Sequence, residues 1–203
     1  MERRWQIVSR QGHGIGVKAL RSSLSRILRL VDSPNAWTKK ERALDPTGKM
    51  ATYKQFWQPL MDELREKHRF TNAKAAQPQS WYSFASGIAG ISYGVAFASD
   101  KRLKAELYID LGDTNQNKAV FDFLESQKPD LEQTLGEALT WERLDAKRAC
   151  RIAIERPDTT IDDAQEQGDE MRAWLVDRLI KLKQVFGPRL RPAIQAVASN
   201  SAE

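Results

Sequence analysis

From residue 91 to residue 111 the chain alternates apolar and polar positions, interrupted once at Ser99-Asp100-Lys101. Ile91, Tyr93, Val95 and Phe97 alternate with Ser92, Gly94, Ala96 and Ala98; beyond the interruption Leu103, Ala105, Leu107, Ile109 and Leu111 alternate with Arg102, Lys104, Glu106, Tyr108 and Asp110. Successive side chains on a strand point to opposite faces, so the stretch predicts an antiparallel hairpin with one buried face. Other elements must cover that face.

The flanking sequence supplies them. Thr52 followed three residues later by Gln55 resembles a capping box, and Phe56, Leu60 and Leu64 then give one apolar face, predicting a helix over residues 53–67 with Pro59 in its second turn. Phe121, Leu124, Lys128, Leu131 and Leu135 recur at spacings of three and four and close at Gly136, a suitable residue just past a helix end. Pro129 should kink that helix or restart it as a second one. Residues 139–144 and 148–155 predict a second hairpin turning at Asp145-Ala146-Lys147, with Cys150, Ile152 and Ile154 on its apolar face. A last helix capped by Asp162 or Asp163 turns Met171, Trp174, Leu175, Leu179, Leu182 and Phe186 inward and stops at Gly187-Pro188. The fold class expected is α+β, a mainly antiparallel sheet of two hairpins with helices packed on one face, in the order α-β-β-α-β-β-α.

Charge is segregated along the chain. Residues 1–60 hold 12 Lys+Arg and 4 Asp+Glu (12 − 4 = +8), residues 61–203 hold 20 and 23 (20 − 23 = −3). Residues 1–31 read as a basic N-terminal arm, residues 32–52, with two prolines and no apolar periodicity, as a linker, residues 53–192 as the folded domain and residues 193–203 as a flexible tail. Within the arm, Val17–Val31 has amphipathic spacing, four basic residues and no acid. That composition fits a helix meeting nucleic acid or an anionic surface, or an ordinary packed helix with a solvated basic face; an organelle transit peptide shares it but is the less favoured reading. No charged residue occurs from Ala75 to Ser99, but the apolar part is short of the ~20 residues a membrane-spanning helix requires. A secretory signal is not visible, so the expected location is the cytoplasm, with no membrane association.

The chemistry-bearing residues are few. One cysteine, Cys150, and two histidines, His13 and His68, cannot make a disulfide or a Cys/His zinc site, and no metal or other cofactor is implied. Cys150 falls on the apolar face of a strand and reads as a buried, inert thiol. Gly12-His13-Gly14-Ile15-Gly16 lacks the strand and spacing of a phosphate loop, and Gly87, Gly90 and Gly94 read as a bulge or a close backbone approach. Trp81-Tyr82 offers either a stacking platform for an unpaired base or a plug at the core edge, and the plug is favoured. Pro129-Asp130, Asp145 and Lys147 satisfy, as a string, the PD-x(n)-(D/E)xK nuclease pattern, in which two acids hold Mg²⁺ and a lysine assists the attack. Both acids would have to converge on one point; here Asp130 falls in a predicted helix and Asp145 and Lys147 in a turn. The reading therefore assigns no catalytic residue and keeps these three as the alternative.

Four stretches carry a family resemblance: Phe56-Trp57 opening a helix; Pro78 and Trp81 ahead of a Gly-containing strand; Leu107-Tyr108-Ile109; and the run from Lys118 through Phe121-Asp122, Leu124, Lys128, Leu131-Glu132, Gly136 and Leu139 to Trp141-Glu142. In order and spacing they resemble the bacterial domain-of-unknown-function family 4268 over residues 53–190. The resemblance implies the C-terminal half of longer proteins whose N-terminal half is PD-(D/E)xK nuclease-like, in DNA-defence or repair settings. Residues 33–39 resemble the junction between those halves, and residues 17–31 would then be the end of the nuclease-like half and could be a strand. The function expected is a non-catalytic accessory module of DNA-acting machinery, including phage defence. Its basic arm, with Arg21, Arg26, Arg29, Lys39 and Lys40, would contact nucleic acid or a nuclease partner. The alternatives are a Mg²⁺-dependent nuclease and a purely structural or oligomerising domain.

Overall fold

In a computed structural model, residues 48–200 are described. Helix α1 spans Lys49–Glu66, followed by strands β1 (Trp81–Ala85), β2 (Ile91–Phe97) and β3 (Leu103–Ile109), helices α2 (Thr114–Glu125) and α3 (Lys128–Leu135), strands β4 (Thr140–Glu142) and β5 (Cys150–Arg156), a 3₁₀ turn (Ile161–Asp163) and helix α4 (Ala164–Asn200). The class is α+β: a five-stranded, wholly antiparallel sheet in the order β1-β2-β3-β5-β4 with helices against one face.

The 91–111 hairpin forms as the alternation predicts, with Phe97 opposite Leu103 and Ile91 opposite Ile109. Ile91, Tyr93, Val95, Phe97, Leu103, Ala105, Leu107 and Ile109 all face the core, and Cys150, Ile152 and Ile154 of β5 continue it beside β3. Helix α4 lies across β2 and β3, and α1, α2 and α3 pack against α4. Fully burying one side chain of Leu or Phe size is worth roughly 1.5–3 kcal/mol, which makes this one shared core the main driving force for the arrangement.

Several expectations are corrected. The element order has an extra strand, β1, ahead of the first hairpin, so β1-β2-β3 is a meander and the second hairpin joins through its second strand, β5. β1 alternates as cleanly as β2, with Tyr82 and Phe84 inward, but only over five residues. Helix α1 begins at Lys49, inside the expected linker, which puts Pro59 deeper than the second turn. Of the two outcomes expected at Pro129 the restart is the one observed: the stretch from Phe121 to Leu135 is two helices, and Pro129 sits in the first turn of α3 where its missing N–H costs nothing. Gly136 ends α3 in the left-handed region, φ 78°, as its position suggested.

The largest correction concerns α4, which does not stop at Gly187-Pro188 but runs through Pro192 to Asn200, so residues 193–200 are helix rather than tail. Pro188 and Pro192 give no N–H to the carbonyls four residues back. The apolar stripe nevertheless continues past them through Phe186, Leu190 and Ala193, all buried, and Arg189 donates from its side chain to the Val185 carbonyl at 2.7 Å. Burial outweighs local propensity there. The cap is also displaced: Thr160 and Asp163 form a reciprocal capping box at the 3₁₀ turn.

Candidate functional site

The five arm residues Arg21, Arg26, Arg29, Lys39 and Lys40 lie outside the described residues. The three nuclease-pattern residues lie inside them and are held by separate partners. Asp130, in the first turn of α3, accepts a hydrogen bond from Arg189 of α4 at 2.6 Å. Asp145, in the β4–β5 loop, is paired with Arg143, which also reaches both carboxylate oxygens of Asp122 on α2 at 2.8 and 3.0 Å. Lys147 is exposed in the same loop, and its N–H donates to the Leu144 carbonyl at 2.7 Å. Among the described residues no group of three or more His, Cys, Asp and Glu side chains is placed to hold a metal.

A side chain to which the sequence assigns no role organises that loop. Lys118 on α2 is 7% exposed, and its ammonium donates to the carbonyls of Arg143 (2.5 Å), Leu144 (3.0 Å), Lys147 (2.9 Å) and Ala149 (3.1 Å), with Cys150 Sγ at 3.4 Å. Carbonyl dipoles stand in for a carboxylate, and the grip includes Leu144 in the left-handed region, φ 55°. Its neighbour Asn117, fully buried, accepts from the Leu111 N–H at 2.7 Å and donates to the Arg148 carbonyl at 3.1 Å, fixing the end of β3 to the start of β5. Sequence reasoning missed both, because a polar residue beside an apolar stripe reads as solvated. Lys118 opens the run that carries the family resemblance, which gave it no role; beyond that, the signal for both was adjacency to Val120 and Phe121 on the inward face. Cys150 is buried as expected; burial pushes its thiol pKa up despite the nearby Lys118.

The sheet face opposite the helices carries the charged alternates. Lys104 lies directly across from Glu155, with Nζ 2.8 Å from Oε1, and Arg102 pairs with the other carboxylate oxygen of Glu155. Arg151 bridges Glu106 at 2.7 Å and Glu142 at 3.0 Å. Burial alone would raise the Glu155 carboxyl; the Lys104 and Arg102 charges outweigh it and hold the group below its ordinary value. Glu106 goes the other way, raised chiefly by burial in spite of Arg151. This face is therefore a self-neutralising lattice of cross-strand ion pairs rather than a cationic surface.

The two residues of the Trp81-Tyr82 pair lie on opposite faces of β1. Tyr82 plugs the core edge, its ring 5.5 Å from that of Trp57, whereas Trp81 points to the other face and is 47% exposed. Around it the lattice gives way to small residues: Ser83 and Ala85 on β1 and Ala96, Gly94 and Ser92 opposite on β2. A cleft of about 470 Å³ lies between the start of α1, the β2–β3 turn and the 3₁₀ turn, lined by Lys49, Tyr53, Ser99, Lys101 and Asp162, with Lys49 and Asp162 paired at 3.6 Å. The close backbone approach expected of the glycines is at Gly90, where a Cβ would lie 2.7 Å from both the Asp110 carbonyl oxygen and the Leu111 Cα. No described helix is long and apolar enough to cross a membrane.

No curated protein and no solved structure matches the chain. The domain of unknown function DUF4268 matches residues 52–190, from the first turns of α1 to the buried Leu190 of α4, and so takes in the whole sheet, the Lys118 grip and the ion-pair lattice. The chain belongs to the DUF4268 family.

Proposed function

We propose that the chain is a non-catalytic accessory module of DNA-acting machinery in the bacterial cytoplasm, of the defence or repair type including phage defence, and that it engages nucleic acid through its basic N-terminal arm. The setting rests on the family resemblance, in which the domain follows a nuclease-like half. The mode of contact rests on one observation, the placement of charge. Residues 48–200 contain 22 Lys+Arg and 22 Asp+Glu (22 − 22 = 0), while residues 1–47 contain 10 and 4 (10 − 4 = +6). The folded part spends much of its charge internally, in the Lys104–Glu155, Arg151–Glu106, Arg148–Asp110 and Arg189–Asp130 pairs. A polyanion is therefore attracted by the first 47 residues and not by the sheet.

Fluorescence anisotropy of the full chain on a short DNA duplex tests this. Replacing Arg21, Arg26, Arg29, Lys39 and Lys40 together by Ala should lower the slope of log K against log salt by roughly 4.5, if each makes one phosphate contact. In the unmodified chain those contacts alone should weaken binding roughly 500-fold between about 50 and 200 mM salt. Binding that ignores salt or survives the five alanines defeats the reading. Mg²⁺-dependent cleavage of nucleic acid that disappears in Asp145→Ala would replace it with the nuclease alternative.

A further inference from the structure

The two edges of the sheet are treated differently. β4, at one end, is three residues long, and its Glu142 is tied inward to Arg151, a short and charged edge of the kind that resists further pairing. β1, at the other end, is five residues long, contains no Pro, Lys or other charge, and lies in a stretch uncharged from Ala75 to Ser99. Its backbone is half used. Phe97 N donates to the Ser80 carbonyl, and antiparallel bonding alternates, so Ser80, Tyr82 and Phe84 bond to β2 while Trp81, Ser83 and Ala85 turn their N–H and C=O groups outward. Among the described residues, the Gln79 amide alone reaches this row, donating to the Trp81 carbonyl at 2.8 Å.

We propose that β1 is a strand-pairing edge through which two copies of the chain join antiparallel about a dyad at Ser83, making one continuous sheet. The strand is complementary to itself in that register. Trp81, 47% exposed, meets Ala85 of the second copy, so the bulkiest residue of the edge faces one of the smallest, and does so twice by symmetry. Ser83 meets Ser83, and on the inner face Tyr82 meets Phe84, an aromatic cross-strand pair. No like charges are brought together, because neither copy has any charge there. Shifting the register by two sets Trp81 against Ser83 or beyond the strand end and gives up the match. An extended peptide from another protein, or a segment of residues 1–47, would use the same backbone groups without the twofold repetition of each side-chain match that a dyad provides.

The test uses the full chain. With Cys150 buried, Ser83→Cys supplies one accessible thiol per chain. At the dyad the two Cα atoms would be about 5.5 Å apart, within disulfide reach, so mild diamide oxidation should crosslink most of the protein as a dimer. Ala85→Cys places each thiol four residues from its copy, roughly 13 Å along the strands, and should stay monomeric on the same gel. Sedimentation equilibrium should show a concentration-dependent dimer whose dissociation constant rises at least roughly tenfold in Ser83→Lys, which sets two ammonium groups side by side. A chain monomeric at every concentration, equal crosslinking at both positions, or a dimer indifferent to Ser83→Lys would overturn the proposal. Monomers that take up an added extended peptide on β1 would assign the edge to a different occupant.

Discussion

Replacing Lys118 with Met tests whether the β4–β5 loop is held from beneath. Met keeps the length and the apolar stem of lysine but donates nothing. Four carbonyls between 2.5 and 3.1 Å from Nζ lose their donor, and the Ala149 carbonyl among them is buried. Hydrogen bonds to a charged donor are worth about 1.5–3 kcal/mol each. An ammonium has only three N–H groups for four carbonyls, and removing it also removes its own desolvation cost. The net loss expected is roughly 3–5 kcal/mol, the range for breaking one side of a buried charged network. At about 2–4 °C per kcal/mol for a domain of this size, the midpoint of thermal unfolding should fall by roughly 10 °C. A second readout reports on the loop itself. Cys150 Sγ lies 3.4 Å from Nζ and donates to the Asn117 carbonyl at 3.6 Å, in a site closed by the loop. Its thiol should be unreactive towards Ellman's reagent in the unmodified protein and reactive in Lys118→Met well below the unfolding temperature. A variant that melts within about 2 °C of the parent and keeps its thiol protected would refute the reasoning.

Four other substitutions separate effects that are easily confused. Gly90→Ala should cost roughly 2–4 kcal/mol in urea unfolding, because φ is 81° and the new methyl would collide with the Asp110 and Leu111 backbone; Gly87→Ala, at φ 89° in open space, should cost only about 1, and equal losses would show that collision is not the cause. Tyr93 Oη is buried without a hydrogen-bond partner among the described residues, and burial pushes its pKa up to about 12. Tyr93→Phe should therefore leave stability unchanged or raise it by up to about 1 kcal/mol, and a loss beyond 1 would reveal a partner for the hydroxyl. Glu155→Gln should cost roughly 2–3 kcal/mol at neutral pH by uncoupling Lys104. The Glu155 pKa is lowered by folding, so its contribution is full above the ordinary value of 4.5 and fades as pH falls through the lower folded value. The gap between the two proteins should close on acidification, and a gap constant down to pH 3 would contradict this assignment.

Where side-chain period and local chemistry agree, the sequence was enough. The 91–111 hairpin, the restart at Pro129 and the left-handed Gly136 are each decided by a few residues whose own preferences match the final fold. Failures occur where a distant contact outvotes the local signal. Gly187-Pro188 is a sound stop by propensity, yet Phe186, Leu190 and Ala193 have the sheet and α1–α3 to pack against, and the helix continues. β1 was overlooked because its alternation is short and its two inward residues, Tyr82 and Phe84, find their partners Trp57 and Phe70 across the loop that leads out of α1. Lys118 and Asn117 were illegible for a stronger reason: their partners are backbone carbonyls and an N–H some distance along the chain, which leave no mark on sequence.

The nuclease string faces the same requirement. Two acids and a lysine at the right spacing in sequence become a metal site only if the fold aims both carboxylates at one point. Here each acid already has its own arginine, Arg189 on α4 for Asp130 and Arg143 in the loop for Asp145. An arginine beside a carboxylate competes with a divalent cation for the same lone pairs, so Mg²⁺ would have to displace two guanidinium groups and bring together a helix and a loop that are each anchored elsewhere. The β4–β5 loop cannot drift towards α3 cheaply while Lys118 holds four of its carbonyls, whereas loosening that grip frees Asp145 and Lys147 together. Lys118→Met therefore doubles as a test of latent catalysis. On the accessory-module reading it destabilises the domain and produces no Mg²⁺-dependent cleavage; cleavage that appeared only when the loop was released would show that the string is a site held shut.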